Sequence, residues 1–262
     1  MLYVARLLLG ITLAINLAFT VGCANEAYST SSIPTASGRF SSITNNYPGV
    51  VMVILPAGQG LCSGAIVSAH AVLTATHCLL SAGTYTVRSN NGDFMTSHVV
   101  HTGNGSVNDV SDIGLLIFDD VTLTNFNDEI YSIADGANVG EAVTVVGFGC
   151  TSVETRVGAG VKREGTNTIS SKGDYLVLLT PMANTARAII GDANQAGTCF
   201  GDSGGPLFVN NNGRLEIAGV THAGGTYGKY YVSEFTDVAD NSNNRAFLAQ
   251  VSNMNHLNID GI

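Results

Sequence analysis

Short apolar runs rich in β-branched residues recur along the chain from residue 48 onward, and turn-forming residues separate them. Residues 50–55 read Val-Val-Met-Val-Ile-Leu and are followed by Pro56, a pattern typical of a buried β-strand. The pairs Asn91-Gly92 and Asn212-Gly213 favour tight hairpin turns between such strands. Runs of the same kind predict further strands at 64–69, 71–75, 84–88, 94–100, 113–118, 142–148, 175–180, 206–209, 215–221 and 230–236.

A helical period is predicted only near the C-terminus, where Asn244 can cap a helix that carries Phe247 and Val251. Many short strands followed by one helix predict an all-β fold of packed antiparallel barrels. A polar, turn-rich stretch in the middle of the chain reads as the crossing between two halves. We therefore place an N-terminal barrel at residues 47–135 and a C-terminal barrel with its helix at residues 136–262.

The first 22 residues have a different pattern. Arg6 is followed by an apolar stretch from residue 7 to residue 21, which is typical of an export signal. The stretch is short for a bilayer span, and no other segment approaches about 18 uninterrupted apolar residues. We expect residues 1–22 to be a signal peptide and the mature protein to have no membrane span. Residues 23–46 are rich in Ser, Thr and Asn, and we interpret them as a linker or propeptide.

Two routes of processing fit the end of the signal peptide. Residues 20–23 read Thr-Val-Gly-Cys and resemble the lipid-attachment motif of bacterial lipoproteins, which would place a lipid anchor at Cys23. The alternative is cleavage after Ala24 by an ordinary signal peptidase, because residues 22–24 form a small-x-small site. Either route predicts an extracytoplasmic protein, secreted or tethered to the cell envelope.

Both routes also remove Cys23 from the pool of thiols and leave four cysteines. Four cysteines in an exported chain predict two disulfides, which can be paired in three ways. Cys62 and Cys78 flank what reads as a hairpin leading to His77, which makes them candidates for one pair.

Composition and charge exclude several classes of partner. Apolar residues make up 45% of the chain and charged residues 12%, which argues against disorder. The net charge of −9 argues against nucleic acid and anionic membranes as partners. His98 and His101 are three positions apart, a spacing that directs side chains to opposite faces of a strand, so no metal site is predicted. No phosphate loop or nucleotide fingerprint is present, and we expect no cofactor.

A glycine-rich segment provides a candidate nucleophile. Residues 201–206 read Gly-Asp-Ser-Gly-Gly-Pro, which places Ser203 between glycines that permit a tight turn. A serine hydroxyl is a weak nucleophile at neutral pH and needs an adjacent base. Such a turn can also direct the backbone N–H groups of Gly201 and Ser203 toward one point, where they would hold an oxyanion.

Two further segments supply a base and a carboxylate. His77 follows a buried-strand run, and an imidazole can take a proton from a serine and return it to a leaving amine. Asp112 begins an apolar run, where an unpaired buried carboxylate would be costly. The imidazole N–H of His77 is a natural partner that would fix the tautomer of the ring.

In combination, these segments resemble the chymotrypsin-like (trypsin-type) serine endopeptidase family over about residues 47–251, in the chain order His, Asp, Ser. The resemblance implies two packed six-stranded β-barrels with the site between them. It implies that His77, Asp112 and Ser203 are the catalytic residues and that Gly201 and Ser203 form the oxyanion hole. The resemblance also implies the disulfides. The family's disulfide beside its catalytic histidine matches Cys62–Cys78. The family often has a cysteine near the position of residue 225, but this chain has none there, so Cys199 is expected to pair with Cys150.

The chain departs from the family pattern at the activation site. Members of the family usually begin Ile-Val-Gly-Gly after activation, and the new ammonium pairs with the aspartate before the nucleophile, which is Asp202 here. No such tetrapeptide occurs in this chain. The sequence therefore leaves the partner of Asp202 open.

The same resemblance suggests three substrate-binding residues. Gly197 stands at the position of the pocket floor, where a carboxylate would be needed for Lys or Arg, so a non-basic pocket is expected. Thr198 and His222 are similar to residues of the glutamyl endopeptidases, in which they would bind a substrate carboxylate. The alternative is a neutral, broad pocket with His222 in a structural role.

We therefore expect an exported, monomeric serine endopeptidase that cleaves polypeptides through an acyl-enzyme intermediate. The main alternative is a catalytically inactive binding module built on the same barrels. An α/β-hydrolase would need Asp237 and His256 after Ser203, but too few residues follow Ser203 to complete that fold.

Overall fold

The computed structural model describes residues 42–124, 130–181 and 195–262. The predicted signal peptide, the candidate lipid anchor and residues 23–41 of the predicted linker lie outside the described residues. No helix in the described ranges is both long and apolar enough to cross a membrane.

The described part of the chain consists mostly of strands. In chain order they are β1 (Ser42–Ile43), β2 (Val50–Ile54), β3 (Leu61–Ser68), β4 (Ala71–Thr74), β5 (Thr86–Ser89), β6 (Gly92–Met95), β7 (His98–His101), β8 (Gly114–Ile117), β9 (Ala142–Gly147), β10 (Arg163–Thr168), β11 (Ser171–Lys172), β12 (Tyr175–Pro181), β13 (Pro206–Asn211), β14 (Arg214–Tyr227) and β15 (Tyr230–Asp237). Two single 3₁₀ turns (Pro56–Gly58 and Thr76–Cys78) and the helix α1 (Ser242–Met254) complete the secondary structure.

The strands form two antiparallel sheets, one from each half of the chain. The first has seven strands in the order β6-β5-β2-β3-β4-β8-β7. The second has eight in the order β1-β10-β9-β13-β14-β15-β12-β11. The predicted all-β class, the antiparallel pairing and the C-terminal helix are confirmed, and each sheet curls into a half-barrel.

The predicted count of six strands in each barrel differs from the structure. Two of the additional strands are only two residues long: β1 pairs with the edge of β10, and β11 pairs with β12. The single strand predicted at 94–100 is divided, because the Thr96 N–H donates to Tyr85 while the Ser97 N–H donates to Ile117. The chain thereby changes partner between β6 and β7.

The cap of helix α1 also differs from the prediction. Asn241 is the N-cap, and its side chain accepts hydrogen bonds from the N–H groups of Asn243 and Asn244. Asn244 is buried instead, and its amide donates to the Asp237 carbonyl at the end of β15 and, across the interface with the first half, to the Val110 carbonyl. A buried amide with two such partners ties the helix to the segment before β8.

The largest apolar core cluster draws residues from both sheets and from helix α1. It includes Leu115 and Leu116 of β8, Phe208 of β13 and Val251 of the helix, all buried. Burying such a side chain contributes about 1.5–3 kcal/mol. The burial of β8 and of Ile113 before it therefore fixes the position of the residue that precedes them, Asp112.

Candidate functional site

His77 lies in the 3₁₀ turn that follows β4. The Thr76 hydroxyl donates to the Ile113 carbonyl at 2.8 Å, which links this turn to the start of β8. The disulfide between Cys62 and Cys78 joins the same turn to β3. Two anchors on either side of the histidine hold its backbone, so that little more than its side-chain rotation remains free.

Asp112 is fully buried and faces two imidazole rings. Its Oδ1 accepts the backbone N–H of His77 at 2.8 Å, and its Oδ2 lies 2.7 Å from Nδ1 of the same residue. Nδ1 of His222 lies 2.6 Å from Oδ2. Burial alone raises the pKa of the Asp112 carboxyl, but the hydrogen bonds from His222 and His77 outweigh it and hold that pKa well below its usual range.

His222 reaches Asp112 from the long strand β14. The register between β14 and β15 shifts between Thr221 and Ala223, and such a bulge redirects the side chain at its centre. The ring stacks on Tyr175, with centroids 4.8 Å apart and planes 8° from parallel. Burial lowers the pKa of His222, but the contact with Asp112 outweighs this effect and raises it.

Ser203 lies in a turn packed against both sheets. Its carbonyl accepts the Ser63 N–H at 2.8 Å, and the next residue, Gly204, donates to the Thr221 carbonyl at 2.8 Å. Gly204 has a φ of +78°, and a Cβ there would lie 2.5 Å from the Ser63 carbonyl oxygen. Only glycine fits, and this close packing places the turn against Thr74, where β4 ends before His77, and against Thr221, which precedes His222 in β14.

In the described part of the chain, the hydroxyl of Ser203 makes no hydrogen bond to His77, whereas His77, Asp112 and His222 are in direct contact. Nucleophile–base hydrogen bonds are often long without substrate and shorten when it binds. The backbone N–H groups of Gly201 and Ser203 have no acceptor among the described residues, while those of Asp202 and Gly204 do.

Asp202 has backbone partners in the described part of the chain. Its Oδ1 accepts the Gly149 N–H at 2.7 Å and its Oδ2 accepts the Cys199 N–H at 2.9 Å. The residue is partly exposed, but its carboxylate packs against the backbone of Gly147 and Gly149. Burial raises its pKa to about 6, although the two N–H groups and the charge of Arg163 oppose the shift.

The segment around Asp202 is fixed by further bonds. The buried Arg163 guanidinium donates to the carbonyls of Gly149, Gly158 and Val161. Cys150 and Cys199 form a disulfide that joins the segment before Ser203 to the segment after β9. Both disulfides of the sequence analysis are therefore present in the structure.

The three residues suggested for substrate binding are arranged differently from the expectation. Thr198 is buried and uses its N–H and its hydroxyl to donate to Oγ of Ser233, at 3.0 and 3.1 Å. The side chain of His222 is 2% exposed and faces Asp112. Both polar groups already have protein partners, and Gly197 next to Thr198 contributes no charge.

Sequence reasoning missed Ser233, Tyr175 and the carbonyl of Val107 as neighbours of the site. Ser233 lies in a correctly predicted strand, but no motif indicated which face of the strand it occupies. A stacked ring and a backbone carbonyl leave no signal in the sequence at all.

Among the residues that the structure describes, two groups of side chains are close enough to be considered as metal ligands. In the group of Cys62, His77 and Cys78, the sulfur atoms form a disulfide and offer no thiolate. In the group of His77, Asp112 and His222, the N···O separations of 2.6 and 2.7 Å are hydrogen-bond distances. Ligands about 2.0–2.1 Å from a zinc ion would stand farther apart, so we interpret the second group as hydrogen-bonded.

Comparison with known proteins places this geometry in context. A family model described as trypsin matches residues 37–244. Chymotrypsin of Phaedon cochleariae is 27% identical over 217 residues, which cover 75% of this chain and 76% of that protein.

Two solved structures share the fold. A Glu endopeptidase in complex with MPD superposes with a TM-score of 0.59 at 15% identity, covering 85% of this chain and 100% of that chain. Human heparin binding protein superposes with a TM-score of 0.61 at 20% identity, covering 82% of this chain and 96% of that chain.

Proposed function

Since the chain belongs to the trypsin family, we propose that it is an active serine endopeptidase that cleaves polypeptides through an acyl-enzyme intermediate. The observation that carries the proposal is the contact between Nδ1 of His77 and Oδ2 of Asp112 at 2.7 Å. This contact occupies Nδ1 as the donor and leaves Nε2 as the lone-pair nitrogen, which is the tautomer that a general base requires.

In the proposed reaction, Nε2 of His77 removes the proton of the Ser203 hydroxyl as its oxygen attacks the scissile carbonyl. The N–H groups of Gly201 and Ser203, which lack acceptors in the described ranges, hold the negative oxygen of the tetrahedral intermediate. His77 then gives the proton to the leaving amine, and the acyl group remains on Ser203. Water attacks the acyl-enzyme with the same base, which releases the second product.

We propose a non-basic specificity pocket. Gly197 carries no carboxylate that could pair with a Lys or Arg side chain. The Glu preference suggested by Thr198 and His222 has less support than a neutral pocket, because each polar group already bonds to a protein atom. The Glu endopeptidase among the similar structures is too distant in sequence to argue for more than a shared fold.

Matched peptides that differ only in the residue before the scissile bond test the pocket. We expect a peptide with Phe to be cleaved at least as fast as one with Glu, and both faster than one with Lys. A rate for Glu more than tenfold above that for Phe would favour the carboxylate-binding alternative instead.

We also propose that the protein is exported and acts as a monomer. Two disulfides are typical of proteins that fold in an oxidising compartment. Mass spectrometry of the purified mature protein would give its first residue and any acyl chain at Cys23. A first residue of Met1 would contradict export by a cleaved signal.

The function itself is tested by replacing the nucleophile. Ser203→Ala should lower turnover of a peptide substrate by about 10⁶-fold, by analogy with other serine proteases. Ser242→Ala, at an exposed position in helix α1, is the matched control and should leave turnover unchanged. A folded wild-type protein without peptidase activity would favour the inactive binding module.

A further inference from the structure

His222 is a buried histidine for which the proposed reaction has no role. Its Nδ1 lies 2.6 Å from Oδ2 of Asp112, the same oxygen that His77 approaches at 2.7 Å. One carboxylate oxygen thus faces two imidazole nitrogens, and the other accepts the backbone N–H of His77. The two rings lie edge to face, with centroids 6.2 Å apart.

The contacts of the His222 ring define its protonation. Nδ1 faces the Asp112 carboxylate, and Nε2 lies 3.2 Å from the Val107 carbonyl oxygen. Both oxygens are acceptors only, whereas a neutral imidazole has one N–H donor and one lone pair. A neutral ring would therefore direct a lone pair at an oxygen in a site that is almost closed to water. The imidazolium ion, with a donor on each nitrogen, satisfies both contacts.

The surroundings of the ring favour a positive charge. Tyr175 of β12 stacks on its face, where a cation is attracted to the aromatic ring. Glu234 of β15 and Asp112 contribute negative potential, and both raise the pKa of His222 against the opposing effect of burial. The other titratable ring facing His222 is His77, which takes up a proton in the proposed reaction.

We propose that His222 is a positioning residue, which as a buried imidazolium fixes the ionised carboxylate of Asp112 in the orientation that receives the Nδ1–H of His77. This inference rests on the proposed peptidase function. An ion pair with His222 keeps the carboxylate charged in a buried site, where a lone carboxylate would be strongly disfavoured. It also divides the negative charge of Asp112 between two rings.

Sharing the carboxylate has a consequence for pH dependence. When Asp112 is paired with His222, less of its negative charge acts on His77, the proposed base. Removing the charge of His222 while keeping its hydrogen bond should move the acid limb of the activity profile to higher pH.

Two substitutions separate the hydrogen bond from the charge. His222→Leu removes both, and we expect kcat to fall by about 10- to 100-fold with KM changed less than threefold, because the loss is in orientation. His222→Asn retains a donor near the position of Nδ1, and we expect it to recover most of kcat. Its acid limb should lie about one pH unit higher than that of the wild type.

His256→Asn is the matched control. His256 is exposed just beyond the C-terminal end of helix α1 and has a φ of +54°, which asparagine tolerates. We expect the wild-type kcat and the wild-type pH profile from this variant.

A spectroscopic measurement tests the charge without using activity. In full-length protein labelled with ¹⁵N-histidine, His222 should show two protonated ring nitrogens at pH 8, and His222→Asn assigns the signal. An ordinary histidine, with a pKa of about 6.5, is almost fully neutral at that pH.

The outcomes distinguish this inference from the proposed function. A wild-type protein without peptidase activity contradicts the proposed function, while the ¹⁵N-histidine spectrum still determines the charge of His222. An active wild type with a neutral His222 at pH 8, or with unchanged kcat and pH profile in His222→Leu, overturns the inference. If His222→Leu does not fold, His222→Asn and the wild-type spectrum decide the question.

Discussion

Asp112 and Asp202 are two enclosed carboxylates whose surroundings have opposite effects. Asp112 lies at the start of β8 against two imidazole rings, and its pKa is held well below the usual range. Asp202 lies beside Ser203 and accepts two backbone N–H groups, yet burial raises its pKa to about 6. Burial disfavours the charged form of both carboxylates, so the opposite pKa shifts come from their different hydrogen-bond partners.

Direct hydrogen bonds from two imidazole rings outweigh the effect of burial on the pKa of Asp112, whereas two backbone amides and a more distant charge do not outweigh it at Asp202. The Arg163 guanidinium donates its hydrogen bonds to backbone carbonyls, so it affects the pKa of Asp202 through the electrostatic attraction of its charge. The charge of Asp112 is maintained for the reaction. Asp202 has a structural role, since its two carboxylate oxygens link the backbone at Gly149 to the backbone at Cys199 beside the turn that contains Ser203.

The largest effect is expected from Asp112→Asn. One end of the amide is a donor, so it cannot accept both from the two rings and from the His77 backbone N–H. An amide nitrogen facing His77 Nδ1 favours the wrong tautomer of that ring, so kcat should fall by about 10⁴-fold. Steady-state kinetics on a peptide substrate measures the change. Asp119→Asn, which alters an exposed carboxylate near His98, should cost less than twofold. A loss of less than tenfold for Asp112→Asn would remove the distinction between the two buried carboxylates.

A smaller effect is expected from Arg163→Gln. The substitution leaves buried carbonyls without their donor and removes the charge that favours ionised Asp202, which should cost roughly 4 kcal/mol of stability. Chemical denaturation measures it. Arg88→Gln breaks an exposed ion pair with Asp93 and should cost under about 1 kcal/mol. An equal loss of unfolding free energy in the two variants would show that the buried hydrogen bonds of Arg163 stabilise the protein no more than an exposed ion pair does.

The third effect concerns pH. Because the folded protein holds the Asp202 proton more tightly than the unfolded chain, stability falls as pH rises from about 4 to about 6, by up to roughly 3 kcal/mol. Asp112 has the opposite sign: its stabilisation is present above about pH 4 and is lost as pH falls.

Asp202→Asn should remove the Asp202 contribution and flatten the stability curve between pH 4 and pH 6. Glu234, whose pKa is also raised by burial, keeps its own contribution in both proteins, so the difference between them isolates Asp202. Denaturation curves at intervals of half a pH unit measure it. An unchanged slope would show that folding does not raise the pKa of Asp202.

The smallest effect is expected from Tyr175→Phe. Among the described residues the buried Tyr175 hydroxyl has no hydrogen-bond partner, while its ring stacks on His222. Removing the hydroxyl should raise stability by about 1 kcal/mol or less and leave kcat unchanged. Tyr227→Phe, on an exposed ring, should change neither. A destabilised Tyr175→Phe would indicate a role for the hydroxyl that the contacts do not include.

The sequence predicted the parts of the molecule that depend on local pattern. Apolar runs and turn residues gave the strands and the sheet class, and the motif around Ser203 gave the glycine turn. His77 and Asp112 were predicted as partners because a buried carboxylate needs a nearby donor, and the structure places them in contact.

The remaining features depend on register and on backbone groups, which carry no motif. The strand predicted at 215–221 continues to Tyr227, and the bulge after Thr221 turns His222 toward Asp112 instead of a substrate. Asp202 is held by backbone N–H groups, which every residue possesses, so no sequence pattern could identify Gly149 as a partner.

The most direct test of the account is the reaction of the full-length protein with a fluorophosphonate probe, followed by mapping of the labelled peptide. We predict one label per molecule at Ser203, none in Ser203→Ala, and labelling slowed by at least a hundredfold in Asp112→Asn. A folded protein that takes up no label, or labelling of Asp112→Asn at the wild-type rate, would contradict it.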